Sequence, residues 1–262
     1  MIRLMSWNVN GIRSCAGKGF LAWLEEASPD VLSLQETKAN PDQLPAEFLS
    51  PPDGRGGRYN AYWASAKRRG YSGTAILSKR EPRSISFLGI PEFDDEGRSL
   101  VADFGEFTLV SAYFPNSQEG GARLDYKLRF CDAILALCDK LVASGRRVVV
   151  AGDYNIAHTS IDLANPKANE GNPGYLPEER AWMDRYTSSG YIDSLRHFNK
   201  APGQYTWWTY RVKGARERNV GWRLDYHCVN EAALPVVAAA AIHPEVTGSD
   251  HCPVSLDLDL DL

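Results

Sequence analysis

A chain of 262 residues with 44% apolar side chains can bury a sizeable core, which excludes the disordered and fibrous classes. No apolar run reaches the roughly 18 to 20 residues of a membrane span, and the five scattered cysteines form no C-x-x-C pair, so reduced thiols are predicted rather than a disulfide framework or a zinc site. A formal net charge of −4 argues against a surface that is basic throughout, so a polyanion would have to meet a local patch.

The opening residues MIRLMSWNVNG carry Arg3 inside the apolar run and no small-residue cleavage site follows. The sequence therefore predicts neither a secretory signal nor a transit peptide, and a cytoplasmic protein. Strand patterns bounded by Gly, Pro and Asn turns are read at 2–9, 31–36, 59–66, 73–79, 107–114, 147–155, 223–230 and 254–260. Apolar residues at three-to-four spacing predict helices at 19–27, 123–145 and 176–190, with Cys131 and Cys138 as core residues of the second. PEFDDEGR at 91–98 has the turn chemistry of an exposed loop, LPVVAAAAI at 234–242 reads as a buried strand, and the terminal SLDLDLDL alternates like a strand with one wet face. No repeat, low-complexity tract or linker divides the chain, so one α/β domain over 1–262 is predicted.

Several apolar runs stop on residues that bind cations or phosphate: Asn8 and Asn10, Glu36, Tyr113 and Asn116, Asp153 and Asn155. Each could simply begin a turn; together they predict one rim where distant segments converge. GWRLDYHCV and GSDHCPV add Asp225, Asp250 and His251. No G-x-S-x-G, GxxxxGK or GxGxxG motif occurs, which disfavours acyl transfer and nucleotide-loop chemistry. Glu36 beside an amide suits a hard divalent cation such as Mg²⁺. A cation, an imidazolium and amide donors together match phosphodiester hydrolysis. The segment 195–223 carries Arg196, Lys200, Arg211, Lys213, Arg216, Arg218 and Arg223 against the single acid Glu217, interleaved with tryptophans and tyrosines. That is the composition of a nucleic-acid face, and equally of a solvated basic loop.

The blocks SWNVNGIR, LQETKA, GYSGTAILSK, AYFPNS, RLDYKLRF, GDYNIAHTSIDLANPK, TWWTYR, NVGWRLDY and GSDHCPV run in this order from residue 6 to residue 254. Jointly they resemble the exonuclease III family of apurinic/apyrimidinic endonucleases. The resemblance implies a four-layer α/β sandwich, two central mixed β-sheets flanked by helices, as in the DNase I-like endonuclease/exonuclease/phosphatase fold. It implies a monomer acting on double-stranded DNA that contains abasic sites or blocked 3′ ends. With Mg²⁺, for which Mn²⁺ would substitute, the backbone would be cut 5′ to the abasic site, leaving 3′-hydroxyl and 5′-deoxyribose phosphate ends. A 3′ to 5′ exonuclease and a 3′-phosphatase would accompany the cut.

Carried over residue by residue, the resemblance makes Glu36 the main metal ligand, with Asn10 beside it and Asp250, Asp153 and Asn155 in reach. Many relatives carry Asp at position 10, so Asn10 keeps the oxygen and loses a charge. Asn8 and Asn155 would orient the phosphate and the attacking water, Asp153 would activate that water, and His251 held by Asp225 would bind a phosphate oxygen. Tyr113 and Asn116 would contact the phosphate or assist the leaving oxygen. Trp207, Trp222 and Leu224 would form a pocket for a flipped-out sugar without a base, while Trp208 fits pocket or core equally. Arg13, Lys18, Lys38 and Tyr71 would contact the DNA backbone, as would Asn165, Asn169 and Asn172, Arg211 and Arg216 of the loop YRVKGARERN, and Arg223. His158, His197, His227 and His243 are read as structural. Two other readings share these residues: a DNA-binding module without catalysis, and a hydrolase of phosphorylated lipids or inositols.

Overall fold

The computed structural model describes residues 1–260. In chain order the strands are β1 (Ile2–Asn8), β2 (Val31–Gln35), β3 (Asn60–Ala64), β4 (Thr74–Ser78), β5 (Ser84–Ser86), β6 (Ser99–Asp103), β7 (Thr108–Tyr113), β8 (Val148–Asp153), β9 (Tyr191–Asp193), β10 (Asp225–Asn230), β11 (Val237–Ile242) and β12 (Val254–Leu258). They form two six-stranded sheets, β11-β12-β1-β2-β4-β3 and β5-β6-β7-β8-β10-β9. Each sheet holds one parallel pair, β1 with β2 and β7 with β8. A tight turn cannot join parallel neighbours, so a crossover is required. The helix Phe20–Ala27 lies in the first crossover and the helix Leu124–Ala143 in the second. The paired strands therefore finish at a common rim.

Alternation along each strand sorts side chains to opposite faces. On the outer face of the first sheet Met5, Trp7, Leu32 and Leu34 pack with Phe20 and Leu24. On the outer face of the second, Val110, Val150 and Cys228 pack with Phe130, Ile134 and Cys138 of the long helix and with Trp182, Met183 and Tyr186 of the helix Pro177–Ser188. Ile2, Leu4, Val31, Ile76, Leu109, Val149 and Leu256 fill the space between the sheets. Burying a side chain of that size contributes ~1.5–3 kcal/mol, so three apolar layers bind helices, sheet, sheet and helices into the four-layer sandwich that the resemblance implies.

Toward the rim, the filling between the sheets turns polar. Ser33 and Ser111 share a hydrogen bond of 2.6 Å across the sheets, and the Gln35 amide donates to Ser33 at 2.8 Å and to Ser6 at 3.1 Å. One position further along the same faces stand Asn8, Tyr113 and Asp153.

Two local expectations are corrected. Residues 91–98 are not an exposed loop: Pro91 opens a short helix, Pro91–Asp94, and Phe93 is buried with its ring 5.2 Å from that of Phe130. The proline presets the first helical φ, and the aromatic gains more by docking than the acidic neighbours lose. Within 234–242 the strand β11 is an edge strand, paired only with β12, and Ala238, Ala239 and Ala241 are exposed. The terminal alternation forms β12, while Asp261 and Leu262 lie outside the described residues.

Candidate active site

Just past the strand ends the backbone turns sharply. Asn10, Glu36 and Asn155 adopt φ of 45°, 52° and 51°, a left-handed conformation that asparagine tolerates and glutamate resists. The turns fold these side chains back over the rim. Gly152 precedes Asp153 because a Cβ there, at φ +151°, would lie 1.8 Å from the Ala112 carbonyl oxygen. Only glycine lets β7 and β8 approach closely enough to bring Tyr113 beside Asp153.

Hydrogen bonds knit the rim together. The Asn8 amide donates to Glu36 Oε1 at 3.0 Å and to Asp153 Oδ2 at 2.8 Å, and the Tyr113 hydroxyl donates to Glu36 Oε1 at 2.8 Å. The Asn155 backbone N–H donates to Asp153 Oδ1 at 2.8 Å, and the Asn116 amide donates to Asn155 Oδ1 at 3.1 Å. His251 Nδ1 lies 2.8 Å from Asp225 Oδ2, and its Nε2 points toward Asp153 Oδ2 at 3.9 Å. Asn8 is fully buried with both amide hydrogens spent on carboxylates. Asn8 thus ties Glu36 to Asp153 from beneath the rim.

The charges follow from burial and pairing. Burial pushes the Asp153 carboxyl up and Asp225 and Glu36 push the same way, partly opposed by His251, so it stands at about 7. Burial alone would lower His251, but Asp225 and Asp153 more than reverse this and raise it to about 10. The pair thus sets a carboxyl poised to accept a proton beside an imidazolium able to donate one. Burial would also raise Glu36, but Lys38 and the Asn8 amide hold it below its ordinary value, and it is ionised.

Glu36 and Asn10 direct oxygens at one point, and a cation already sits there: the Lys38 ammonium, 2.7 Å from Glu36 Oε2 and hydrogen-bonded to Asn10 Oδ1. Asn10 in turn donates to Asp250 Oδ1 at 2.9 Å. This stand-in shows that the donor set fits a positive charge, and its all-oxygen chemistry fits a hard divalent ion. Asp153, Asp225 and His251 also offer ligand atoms within 4.8 Å of one another. With His251 neutral the three could hold a metal ion; as an imidazolium it donates through both nitrogens instead.

Beside these groups lies a cleft of about 350 Å³ lined by Glu36, Tyr113, Asn116, Asn155, Asn172, Trp207, Trp222, Leu224, Asp250 and His251. Trp207 and Trp222 meet edge to face with ring centroids 6.2 Å apart. Trp207 Nε1 donates to Asp250 Oδ2 at 3.1 Å, which ties the cleft wall to the residue beside His251. A wider groove of about 800 Å³ continues past Asn116, Asn172 and Trp207 to Tyr210 and Arg211.

The expected DNA contacts separate into two groups. Arg13, Lys18, Arg211 and Asn165 are exposed, and Asn172 lines both clefts. Asn169 spends its amide on the Ala164 and Asn165 carbonyls, so it shapes the loop. The Tyr71 hydroxyl accepts from Arg98 at 3.0 Å and Arg123 at 2.6 Å. Arg223 contradicts its expected role: at 1% exposure, it lies 2.8 Å from Asp162 and 2.7 Å from Asp193, beneath the cleft. A guanidinium without water needs two carboxylates more than a phosphate it cannot reach. Arg216 is likewise turned inward, onto backbone carbonyls. Trp208 belongs to the core, 3% exposed. Among the other histidines, burial pushes His227 down to about 3 and keeps it neutral, and His158 lies 2.8 Å from Asp184, outside the cleft.

Two functional supports escaped the sequence reading. Arg98 is buried, donates to the Tyr113 carbonyl and lies 4.9 Å from the centre of the Tyr113 ring. Lys127 is fully buried, 2.6 Å from Glu179, and donates to the Asn155 carbonyl at 2.6 Å. The signal for Lys127 was its place on the apolar stripe with Cys131, Ile134 and Cys138. Lys127→Met leaves Glu179 buried without its counter-charge, and is expected to cost about 3–5 kcal/mol in denaturant unfolding.

Residues 5–251 match the Endonuclease/Exonuclease/phosphatase family. The chain is 41% identical over 262 residues to an exodeoxyribonuclease of Bacillus subtilis, covering 99% of this chain and 100% of that one. It is 40% identical over 263 residues to a DNA-(apurinic or apyrimidinic site) endonuclease of Dictyostelium discoideum, covering 99% of this chain and 71% of the relative. Among solved structures, the 3′ phosphatase NExo from Neisseria bound to product DNA hairpin superposes with a TM-score of 0.85 at 25% identity, covering 99% of this chain and 100% of that one. With matched residues that include the strand ends of both sheets and reach His251, the chain belongs to the endonuclease/exonuclease/phosphatase family.

Proposed function

We propose that this protein is a metal-dependent DNA repair phosphodiesterase that cuts the backbone 5′ to abasic sites and also clears 3′ ends by exonuclease and 3′-phosphatase action. The observation that carries this reading is the Asp153 carboxyl facing the His251–Asp225 pair at the edge of a small Trp-walled cleft, next to a carboxylate site already holding a cation. Exodeoxyribonuclease and abasic-site endonuclease relatives at about 40% identity support DNA as the substrate.

In this reading Asp153, held in line by Asn8 and the Asn155 N–H, takes the proton of the attacking water. The His251 imidazolium donates to a phosphate oxygen, and Tyr113, whose burial and neighbouring Glu36 keep it protonated, hydrogen-bonds near the leaving oxygen. Glu36, Asn10 and Asp250 would hold Mg²⁺, with Mn²⁺ substituting, which would supply Lewis-acid neutralisation of negative charge on the phosphate. The Lys38 ammonium must then move aside, where it can meet a phosphate. Trp207, Trp222 and Leu224 admit a sugar without a base, and an intact nucleotide meets walls too close for its base. Free, buried cysteines suit a cytoplasmic enzyme.

A duplex with one abasic site is expected to be nicked on its 5′ side with Mg²⁺ and left intact in EDTA. A 3′-phosphate duplex is expected to yield inorganic phosphate. Efficient hydrolysis of a soluble inositol phosphate alongside inert DNA would overturn the reading, as would DNA binding without any metal-dependent cut.

A further inference from the structure

We infer that Arg216 is a positioning residue that fastens the exposed recognition loop to the catalytic histidine segment, rather than a DNA contact. The inference rests on the nuclease reading above. Between Ile242 and Val254 the chain has no helix or regular strand, yet it must place Asp250 and His251 to within a fraction of an ångström. Such a segment relies on hydrogen bonds from outside itself.

Trp7, whose indole donates to the His251 carbonyl at 3.1 Å, and the Thr206 carbonyl, which accepts the Cys252 N–H at 2.8 Å, supply two of them, and Arg216 supplies three more. Its Nη2 donates to the Pro244 carbonyl at 2.9 Å and to the Val246 carbonyl at 2.6 Å, and its Nη1 donates to the Ser249 carbonyl at 3.2 Å. The guanidinium carbon lies 4.6 Å from the centre of the Trp208 ring. That stack matters because the backbone N–H of the same Trp208 donates to the Asp250 carbonyl at 2.9 Å. Ser249, held by Arg216 at its carbonyl, donates its hydroxyl to the Asn8 carbonyl at 2.8 Å and accepts the His251 N–H at 3.3 Å. One planar fork thus joins the loop that carries exposed Tyr210, Arg211 and Val212 to the backbone on which the imidazolium stands. A lysine ammonium cannot match the planar fork spanning these carbonyls while lying flat on an indole.

DNA that engages the loop and the chemistry at His251 are therefore mechanically coupled through Arg216. Arg216→Ala is expected to lower kcat roughly 10- to 100-fold, the loss typical when a support behind a reacting group is removed. The Kd for the same duplex, measured in EDTA, and its dependence on salt stay within about twofold to threefold, since no phosphate contact is removed. Arg216→Lys is expected to recover only part of kcat, and it keeps the test valid should the alanine variant fold poorly. Each rate is taken at a temperature well below that variant's Tm.

A raised Kd with a shallower salt slope and unchanged kcat would make Arg216 a backbone contact and sink the inference. A lowered Tm with unchanged kcat would sink it too, by making Arg216 merely structural. The comparison uses whichever DNA end or lesion the wild-type protein cuts. Failure of abasic specificity therefore leaves it intact, and failure of the Arg216 result leaves the nuclease reading intact.

Discussion

Asp153→Asn is expected to lower kcat by roughly 10²- to 10⁴-fold, the range for loss of a positioned general base, with affinity for DNA retained. The substitution keeps the volume and removes the proton acceptor. It also turns one acceptor oxygen into an amide nitrogen, beside donors from Asn8 at 2.8 Å and from the Asn155 backbone at 2.8 Å, so a donor must face a donor. Part of the loss therefore comes from misplacing Asn155 and, through Asn8, Glu36. Single-turnover rates report the chemistry, and binding in EDTA reports affinity. A variant with normal single-turnover rates and weakened binding would show that Asp153 holds substrate instead.

Asp225→Asn is expected to move the alkaline limit of activity as well as its height. With Asp225 in place, His251 stays protonated until about pH 10. The imidazolium is therefore fully present at neutral pH, and the activity that needs it is lost as pH rises through about 10. The same ionisation links to folding: a histidine raised from 6.5 stabilises the folded state fully below that ordinary value, and the contribution is lost as pH climbs through about 10. Without the Asp225 charge, burial is opposed only by Asp153 and Asp250 and the imidazole titrates lower, so the alkaline limb shifts toward neutrality. At mildly alkaline pH the loss is expected to be roughly 10²- to 10³-fold, as for removal of one donor to a developing oxyanion. On the acid side Asp153, raised to about 7, sets a limb that rises with pH. A kcat–pH profile that keeps its alkaline limb in Asp225→Asn would show that Asp225 does not hold the proton on His251.

What the sequence disclosed was tied to local pattern. The strands ending in Asn8, Glu36, Tyr113 and Asp153 were visible because long apolar runs with β-branched residues announce themselves and their polar stops stand out. β5 and β9 were invisible because Ser84–Ser86 and Tyr191–Asp193 are too short to show any period. β6 was masked by the acidic stretch before it. The fate of Arg223 could not be read at all, since nothing in its neighbours along the chain announces Asp162, 61 positions away. In a basic loop an exposed arginine and a buried one look alike. Lys127 shows the opposite case, where a charge on an apolar stripe was a legible sign of a buried partner that went unread.

The graded filling between the two sheets bears on how this enzyme could be altered. Leucines and valines deep in the sandwich resist separation of the sheets but are indifferent to small rotations. The Ser33–Ser111 and Gln35 bonds are directional and resist such rotations. An engineer who greased this upper shelf with valines would gain cohesion and surrender the angular registration of one sheet's glutamate against the other sheet's aspartate. Thermal hardiness and turnover are thus drawn from different heights of the same seam.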